Sequence, residues 1–92
     1  MIRGFRHKGL KHLFEKGDPS GLNSNHARRM KLILLQLQAA VEVKDMAAHG
    51  YALHALRGNR KGEWAIKVNA NWRITFTFDG KEFDDIDLVD YH

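Results

Sequence analysis

Apolar residues near the start of the chain recur at the spacing of a helix. Leu10, Leu13 and Phe14 follow the i, i+3, i+4 pattern of one helical face, beginning from Lys8. Gly17 comes directly after this segment and is suited to end the helix, because glycine adopts the left-handed conformation without strain. The short alternating sequence IRGF before it predicts a first strand.

A second helical stripe follows the loop GDPSG, in which one proline and two glycines indicate a break. Ser24 and Asn25 precede the stripe, and either side chain is suited to cap the first backbone N–H groups of a helix. We predict that this helix ends between Ala39 and Val43, with KDMA adding a further turn. Its apolar stripe is formed by Met30, Ile33, Leu34, Leu37 and Val41.

Beyond Gly50 the apolar period changes from 3.6 to 2, which is the period of a strand. The segments YALHAL, EWAIKV, WRITFTF and FDDIDLVDYH are predicted strands, with RGNRKG and NAN as loops between them. Asp79-Gly80 is a strong hairpin signal, because its turn type needs positive φ. The apolar side of the third segment consists of Trp72, Ile74, Phe76 and Phe78.

Helices followed by an antiparallel meander predict an α+β fold. A short first strand and two helices would pack on one face of a twisted, mainly antiparallel sheet. Ninety-two residues form one domain of ordinary small size, so we assign residues 1–92 to a single domain. The second face of the sheet would then be available for function.

Charge is distributed unevenly along the chain. Residues 1–78 hold fourteen Lys and Arg against five acids, whereas residues 79–92 hold one Lys against six acids. The large basic excess favours an anionic partner such as nucleic acid. The acidic segment would either neutralise neighbouring cations or carry a site.

Several classes of site are disfavoured. The chain contains no cysteine, which excludes disulfides and thiolate metal sites and fits the cytosol. Its six histidines show no metal-ligand spacing, so we expect no metal and no cofactor. The start MIRGFRHKGL lacks the apolar core of a secretory signal, and no apolar run is long enough to span a membrane.

A set of polar residues in the strand region suits RNA transesterification. In that reaction the 2′-OH attacks the adjacent phosphate, and the products are a cyclic phosphate and a 5′-OH. Histidine can act as base or acid near neutral pH, and arginine stabilises charge on the phosphoryl oxygens. The candidate catalytic residues are His54, Arg73, Asp90, Tyr91 and His92.

Further cations are candidates for phosphate contacts with RNA: Lys8, Lys11, Arg28, Arg29, Arg57, Arg60 and Lys61. Each candidate also has an ordinary structural alternative. Arg73 could be a solvated strand residue and His54 a half-buried histidine. Arg60 and Lys61 could be solvent-exposed turn residues. Residue spacing does not decide between these alternatives.

The sequence LHALRGNRKGEWAIKVNANWRITFTF, followed by VDYH, resembles the HigB-type toxins of the RelE/ParE superfamily. The opening MIRGFRHKGLKHLFEKG is similar to that family as well, so the resemblance covers essentially the whole chain. Among the candidates, His54, Arg73, Asp90, Tyr91 and His92 fall on the family motif. Arg57 stands where the family more often has lysine, and Asn59 replaces a common acidic residue.

This resemblance implies a RelE-like fold and a ribosome-dependent mRNA interferase of a type II toxin–antitoxin system. The implied partners are a helix-turn-helix antitoxin of the HigA type, small-subunit rRNA and A-site mRNA. Operator DNA would be bound only through the antitoxin complex, and no membrane partner is implied. Two alternatives stay open from the sequence: a ParE-like gyrase inhibitor and a ribosome-binding module without catalysis.

Overall fold

The computed structural model describes residues 1–22 and 25–90. Within these ranges, two α-helices precede four strands, and two short 3₁₀ helices lie in the connections. The elements are α1 (Lys8–Lys16), α2 (Ala27–Ala39), a 3₁₀ helix (Val43–His49), β1 (His54–Ala55), a second 3₁₀ helix (Gly58–Arg60), β2 (Glu63–Lys67), β3 (Trp72–Phe78) and β4 (Phe83–Asp90). This order confirms the α+β prediction.

The predicted limits of α1 are confirmed. His7 precedes the helix in an extended conformation, and its Nδ1 accepts a hydrogen bond from the Leu10 N–H at 3.2 Å. Gly17 ends the helix at φ 69°, and its N–H donates to the Leu13 carbonyl at 3.0 Å. Leu10 and Leu13 are buried against the rest of the core.

The start of α2 differs from the prediction. The residue that precedes the helix is His26, which caps it without a side-chain hydrogen bond, and Asn25 lies one position earlier in a turn. Ser24 lies outside the described residues. The apolar stripe is buried as expected up to Leu37. Val41 is 75% exposed, because the backbone becomes extended at Ala40 and the helix ends there.

KDMA does add a helical segment, the first 3₁₀ helix. Its start is fixed by Asp45, whose carboxylate accepts hydrogen bonds from the N–H groups of Glu42 and Val41 at 2.9 and 3.0 Å. These bonds hold the pKa of Asp45 below its usual range. Met46 on this segment is fully buried and extends the helical side of the core.

The strands form one antiparallel sheet in the order β1-β2-β3-β4. Residues of β3 alternate as predicted, and Ile74 and Phe76 are completely buried beneath the helices. β1 is much shorter than the predicted YALHAL strand, since only His54 and Ala55 pair with β2. Tyr51 and Leu56, on either side of β1, each make one backbone hydrogen bond to β2 outside the ladder.

The N-terminal segment lies beside β4 but does not form a regular strand. Ile2 and Phe5 make isolated parallel bridges to Phe83 and Ile86. The Arg3 N–H donates to the Phe83 carbonyl at 2.7 Å, so the segment covers part of the β4 edge. The predicted first strand is therefore correct in place and reduced in extent.

The Asp79-Gly80 hairpin is present, with a loop of four residues between Phe78 and Phe83. The Asp79 carboxylate accepts the N–H groups of Lys81 and Glu82, both at 2.8 Å, and Gly80 has φ 96°. These bonds lower the pKa of Asp79. Local turn chemistry is thus sufficient to explain this connection.

β4 contains a bulge that the alternation pattern did not predict. Thr75 pairs with Asp87 but Thr77 pairs with Asp84, so β4 has one extra residue in this interval. Asp85 adopts a left-handed conformation at φ 51°, which is uncommon for a residue with a side chain. The extra residue allows both Phe83 and Ile86 to face the core although they are three positions apart.

The hydrophobic core lies between the helices and one face of the sheet. Phe76 packs edge-to-face against Phe83, with ring centroids 5.4 Å apart. Leu34 and Leu37 of α2 and Met46 complete this layer, and each is fully buried. Within the described ranges, no helix has the length and apolarity that a membrane crossing requires.

Candidate active site

The sheet face that the helices leave uncovered carries a row of paired residues across all four strands. His54 pairs with Ala65, Ala65 with Thr75, and Thr75 with Asp87. Direct cross-strand partners share a face, so these four side chains lie on the same side of the sheet. We call this side the open face.

His54 is exposed on the open face rather than half-buried. Its Nδ1 lies 3.0 Å from the Ala52 carbonyl oxygen. A carbonyl only accepts hydrogen bonds, so Nδ1 must carry the proton in this contact, and Nε2 of the neutral ring is then the basic nitrogen. Ala52 itself has φ 52°, a conformation that directs its carbonyl toward the ring at some cost in backbone strain.

Arg73 is half-buried on β3, and its Nη1 donates to the carbonyls of Asn69 and Trp72 at 2.7 and 3.2 Å. The register pairs Arg73 with Val89 and Lys67, which places it on the open face one row away from His54. The Cα atoms of His54 and Arg73 are two strands apart across the sheet and two residues apart along it, a separation of about 12 Å. The hydrogen bonds of Arg73 hold its guanidinium at the turn between β2 and β3.

Asp90 is the last residue of β4 and is exposed. It pairs with Trp72, so the pleat assigns it to the helix-covered side, whereas Arg73 is on the open face. The two residues therefore lie on opposite sides of the pleat at this end of the sheet. Tyr91 and His92, the other two predicted catalytic residues, lie outside the described residues.

The loop between β1 and β2, residues 56–62, carries three of the predicted RNA-binding cations. Arg57 and Lys61 are exposed, and Arg57 lines a cleft of about 400 Å³ together with His54, Ala55 and Leu56. Arg57 of the predicted set is thus close to the candidate catalytic histidine. Phosphate contacts from this loop would lie beside His54.

Arg60 has a different environment from Arg57 and Lys61. Its Nε and Nη2 donate to both carboxylate oxygens of Glu63 at 2.9 Å, and Nη2 also lies 3.4 Å from the Thr75 hydroxyl. Hydrogen bonding to Arg60, with a further contribution from Arg6, holds the pKa of Glu63 below its usual value. Arg60 is therefore directed onto the sheet.

The helix-borne cations are on the other layer of the molecule. Lys8 and Lys11 are exposed on α1, and Arg28 and Arg29 are exposed in the first turn of α2. The Arg29 guanidinium lies over the ring of Tyr51 at 5.1 Å. Because the helices cover the opposite face of the sheet, these cations form a surface separate from the open face.

Three acidic residues of the C-terminal segment are paired with the N-terminal arginines. Arg3 donates to Asp84 at 2.7 and 2.9 Å and contacts Asp79 at 3.3 Å, and Arg6 lies 3.9 Å from Asp85. The hydrogen bonds from Arg3 lower the pKa of Asp84. Of the two roles expected for this segment, the structure places Asp79, Asp84 and Asp85 in the neutralising one.

Three polar residues on the open face were not among the predicted site residues. Glu63, Thr75 and Asp87 surround Arg60, and Thr75 is only 2% exposed. Their alternation with apolar residues indicated the open face, but no local pattern indicated that they share one arginine. Among the described residues, no cluster of three or more His, Asp and Glu is arranged to hold a metal ion.

Solved structures with the same fold support the assignment of architecture. The crystal structure of YafQ from Escherichia coli BL21(DE3) matches with a TM-score of 0.55 over 98% of this chain and 93% of that chain, at 13% identity. A point mutant of YafQ from E. coli gives a TM-score of 0.53 at 14% identity, with the same coverage. At these identities the likeness concerns the fold alone.

Sequence comparison identifies the family. Residues 3–92 match the family described as RelE-like toxin of the type II toxin–antitoxin system HigB. Endoribonuclease HigB of Proteus vulgaris is 44% identical over 92 residues, covering all of both chains. The fold is that of a RelE-like toxin. The chain belongs to the HigB-like toxin family, and its partner is accordingly an antitoxin.

Proposed function

We propose that this toxin halts translation by entering the ribosomal A site and cutting the mRNA codon held there. The toxin is an endoribonuclease, an assignment supported by its family and by its full-length match to a relative named Endoribonuclease HigB. The same match favours RNA cleavage over gyrase inhibition as the toxic activity.

The observation that carries the proposal is the placement of His54. An exposed imidazole lies on the open face beside Arg57, and its Nδ1 is engaged by the Ala52 carbonyl. That contact orients Nε2 for proton transfer to or from RNA. Arg73, one row away on the same face, is suited to stabilise the phosphoryl oxygens.

The proposed reaction is transesterification. The 2′ oxygen attacks the adjacent phosphorus, its proton passes to a base, and the P–O5′ bond breaks as an acid protonates O5′. Side chains supply each of these functions, so the mechanism needs no metal ion. Asp90 or His92 takes the 2′ proton, His54 assists proton transfer, and Tyr91 holds the nucleotide by stacking or a hydrogen bond.

The remaining partners follow from the same proposal. A HigA-type helix-turn-helix antitoxin would block the toxin, and operator DNA would be bound only through their complex. Exposed cations of the loop and of the helix layer would contact small-subunit rRNA: Arg57, Lys61, Lys8, Lys11, Arg28 and Arg29. Such a toxin would act in the bacterial cytoplasm.

The mechanism is tested with a single 2′-deoxy sugar at the cut position of an mRNA programmed into the ribosomal A site. Mg²⁺ is kept at the level that the ribosome requires. We expect the toxin to cut the all-ribose mRNA and to leave the deoxy mRNA intact, because the nucleophile is absent. Cleavage of both at equal rates would identify water as the nucleophile and contradict the mechanism.

A gyrase supercoiling assay run in parallel tests the alternative activity. We expect no inhibition at toxin concentrations that stop translation in a cell-free system. Inhibition of gyrase without mRNA cleavage would replace the proposed function with the ParE-like one.

A further inference from the structure

The β1–β2 loop is attached to the sheet through one side chain. Of the side chains of residues 56–62, all of which the structure describes, only that of Arg60 hydrogen-bonds to the sheet. The backbone adds one bond, from the Leu56 N–H to the Glu63 carbonyl at 2.9 Å. The loop therefore depends on Arg60 for its orientation over the open face.

Two glycines in the loop adopt backbone conformations that other residues rarely adopt. Gly58 and Gly62 have φ of 66° and 99°, and no neighbouring atom lies within 4 Å of where a Cβ would be. Glycine loses the most conformational entropy on ordering, so this segment is costly to hold in one conformation. A specific side-chain interaction is needed to hold the loop in one conformation.

The contact between Arg60 and Glu63 has the geometry of such an interaction. The guanidinium meets the carboxylate with two parallel hydrogen bonds, and Glu63 is only 14% exposed. Ala65 and Thr75 beneath are 1% and 2% exposed although α1 and α2 pack on the other face of the sheet. An arginine that is paired and lies over buried residues is poorly available to a phosphate.

We propose that the Arg60–Glu63 ion pair positions the β1–β2 loop so that Arg57 and His54 share one cleft, and that Arg60 is a positioning residue instead of a phosphate ligand. This inference rests on the proposed function, since its catalytic consequence requires RNA cleavage. It departs from the sequence-based prediction that Arg60 contacts RNA directly.

The two roles predict opposite effects for Glu63→Gln. If Arg60 contacts phosphate, removing the Glu63 charge makes the arginine more available and the surface more positive, so ribosome binding tightens. If the pair positions the loop, the same substitution weakens the ion pair and slows cleavage. A loss on removal of a negative charge cannot arise from electrostatic attraction to RNA.

Arg60→Lys separates the roles a second time. Lysine keeps the charge that a phosphate contact needs but cannot form the two parallel bonds to one carboxylate. Single-turnover cleavage of A-site mRNA is measured for wild type, Glu63→Gln, Arg60→Lys and the double variant. Toxin is varied so that the maximal rate and the half-saturating concentration are obtained separately.

We expect each single variant to lower the maximal rate by about 10- to 100-fold, the scale for a misplaced catalytic group. Half-saturating concentrations should change by less than about threefold, and the double variant should be no slower than the slower single variant. Glu15→Gln, an exposed change of equal charge on α1, serves as the control and should match wild type. Wild-type rates in Glu63→Gln or Arg60→Lys would overturn the proposal.

Hydrogen exchange gives a test that does not need activity. The Lys61 amide, which donates to the Gly58 carbonyl at 3.1 Å within the loop, should exchange faster in Glu63→Gln. The Gly17 amide at the end of α1 should be unchanged. If wild type cuts no mRNA, the proposed function fails, yet unchanged exchange at Lys61 would still overturn the positioning role.

Discussion

The two faces of the sheet are held by different interactions. On the helix-covered face, Ile66, Ile74 and Phe76 are fully buried among apolar side chains. On the open face, burial of Ala65 and Thr75 is achieved beneath an arginine–carboxylate pair. The helix-covered face therefore stabilises the fold by dispersion and water exclusion. The polar groups of the open face are held in place by hydrogen bonds and ion pairs.

The largest effect is expected on the helix-covered face. Phe76→Ala removes a fully buried ring in contact with Phe83 and should lower the free energy of unfolding by about 3–5 kcal/mol. The neighbouring Thr77→Ala, on the open face, removes a hydroxyl that donates to Asp85 and should cost about 1 kcal/mol. Urea denaturation measures both, and equal losses would contradict the division between the faces.

The second effect concerns the open face and should leave stability nearly intact. His54→Ala should reduce A-site cleavage by about 100-fold or more, the scale for losing a positioned acid or base. The side chain is exposed, so the melting temperature should change little. His12→Ala, an exposed histidine on α1, is the matched control and should cleave at the wild-type rate. Equal rates for His54→Ala and wild type would remove His54 from the mechanism.

A smaller effect separates the cations of the two layers. Replacing Arg28, Arg29 and Lys31 with alanine should reduce the slope of log affinity against log salt by about 2, since fewer counterions are released from rRNA. The maximal cleavage rate should stay the same, because α2 is on the helix-covered side. Lys16→Ala with Lys44→Ala controls for general loss of charge. An unchanged slope would place the rRNA contacts elsewhere.

The smallest effect is on the acid sensitivity of the fold. The pKa of Asp84 is lowered by Arg3 from its ordinary value of 3.8, so the contact stabilises the fold above that value. The contribution is lost as the pH falls from about 5 through the lowered pKa, where Asp84 becomes protonated. Asp84→Asn should lower stability at neutral pH and flatten the loss of stability on acidification, and Glu15→Gln should not. Parallel acid titrations of all three proteins measure this.

Local sequence determined much of the fold. The Met30 stripe, the glycine that ends α1 and the alternation of β3 each depend on residues within a few positions of one another. The same holds for the Asp79-Gly80 turn. Such features are predictable because helical period, strand period and turn conformation are properties of short segments.

Features that depend on pairing between distant segments were decided only by the tertiary structure. The bulge at Asp85 exists because β4 must place both Phe83 and Ile86 on the core, and alternation alone could not show this. Val41 continued the helical pattern but is exposed, because α2 ends at Ala39.

For the candidate site, the sequence determined which residue types could perform the chemistry, and it placed His54 and Arg73 in the strand region. It could not show that Arg60 is paired with Glu63 over Thr75, or that Asp90 lies on the opposite side of the pleat from Arg73. Both depend on strand register and on a loop conformation. These are set by the packing of the whole domain rather than by neighbouring residues, which is why only the tertiary structure decided them.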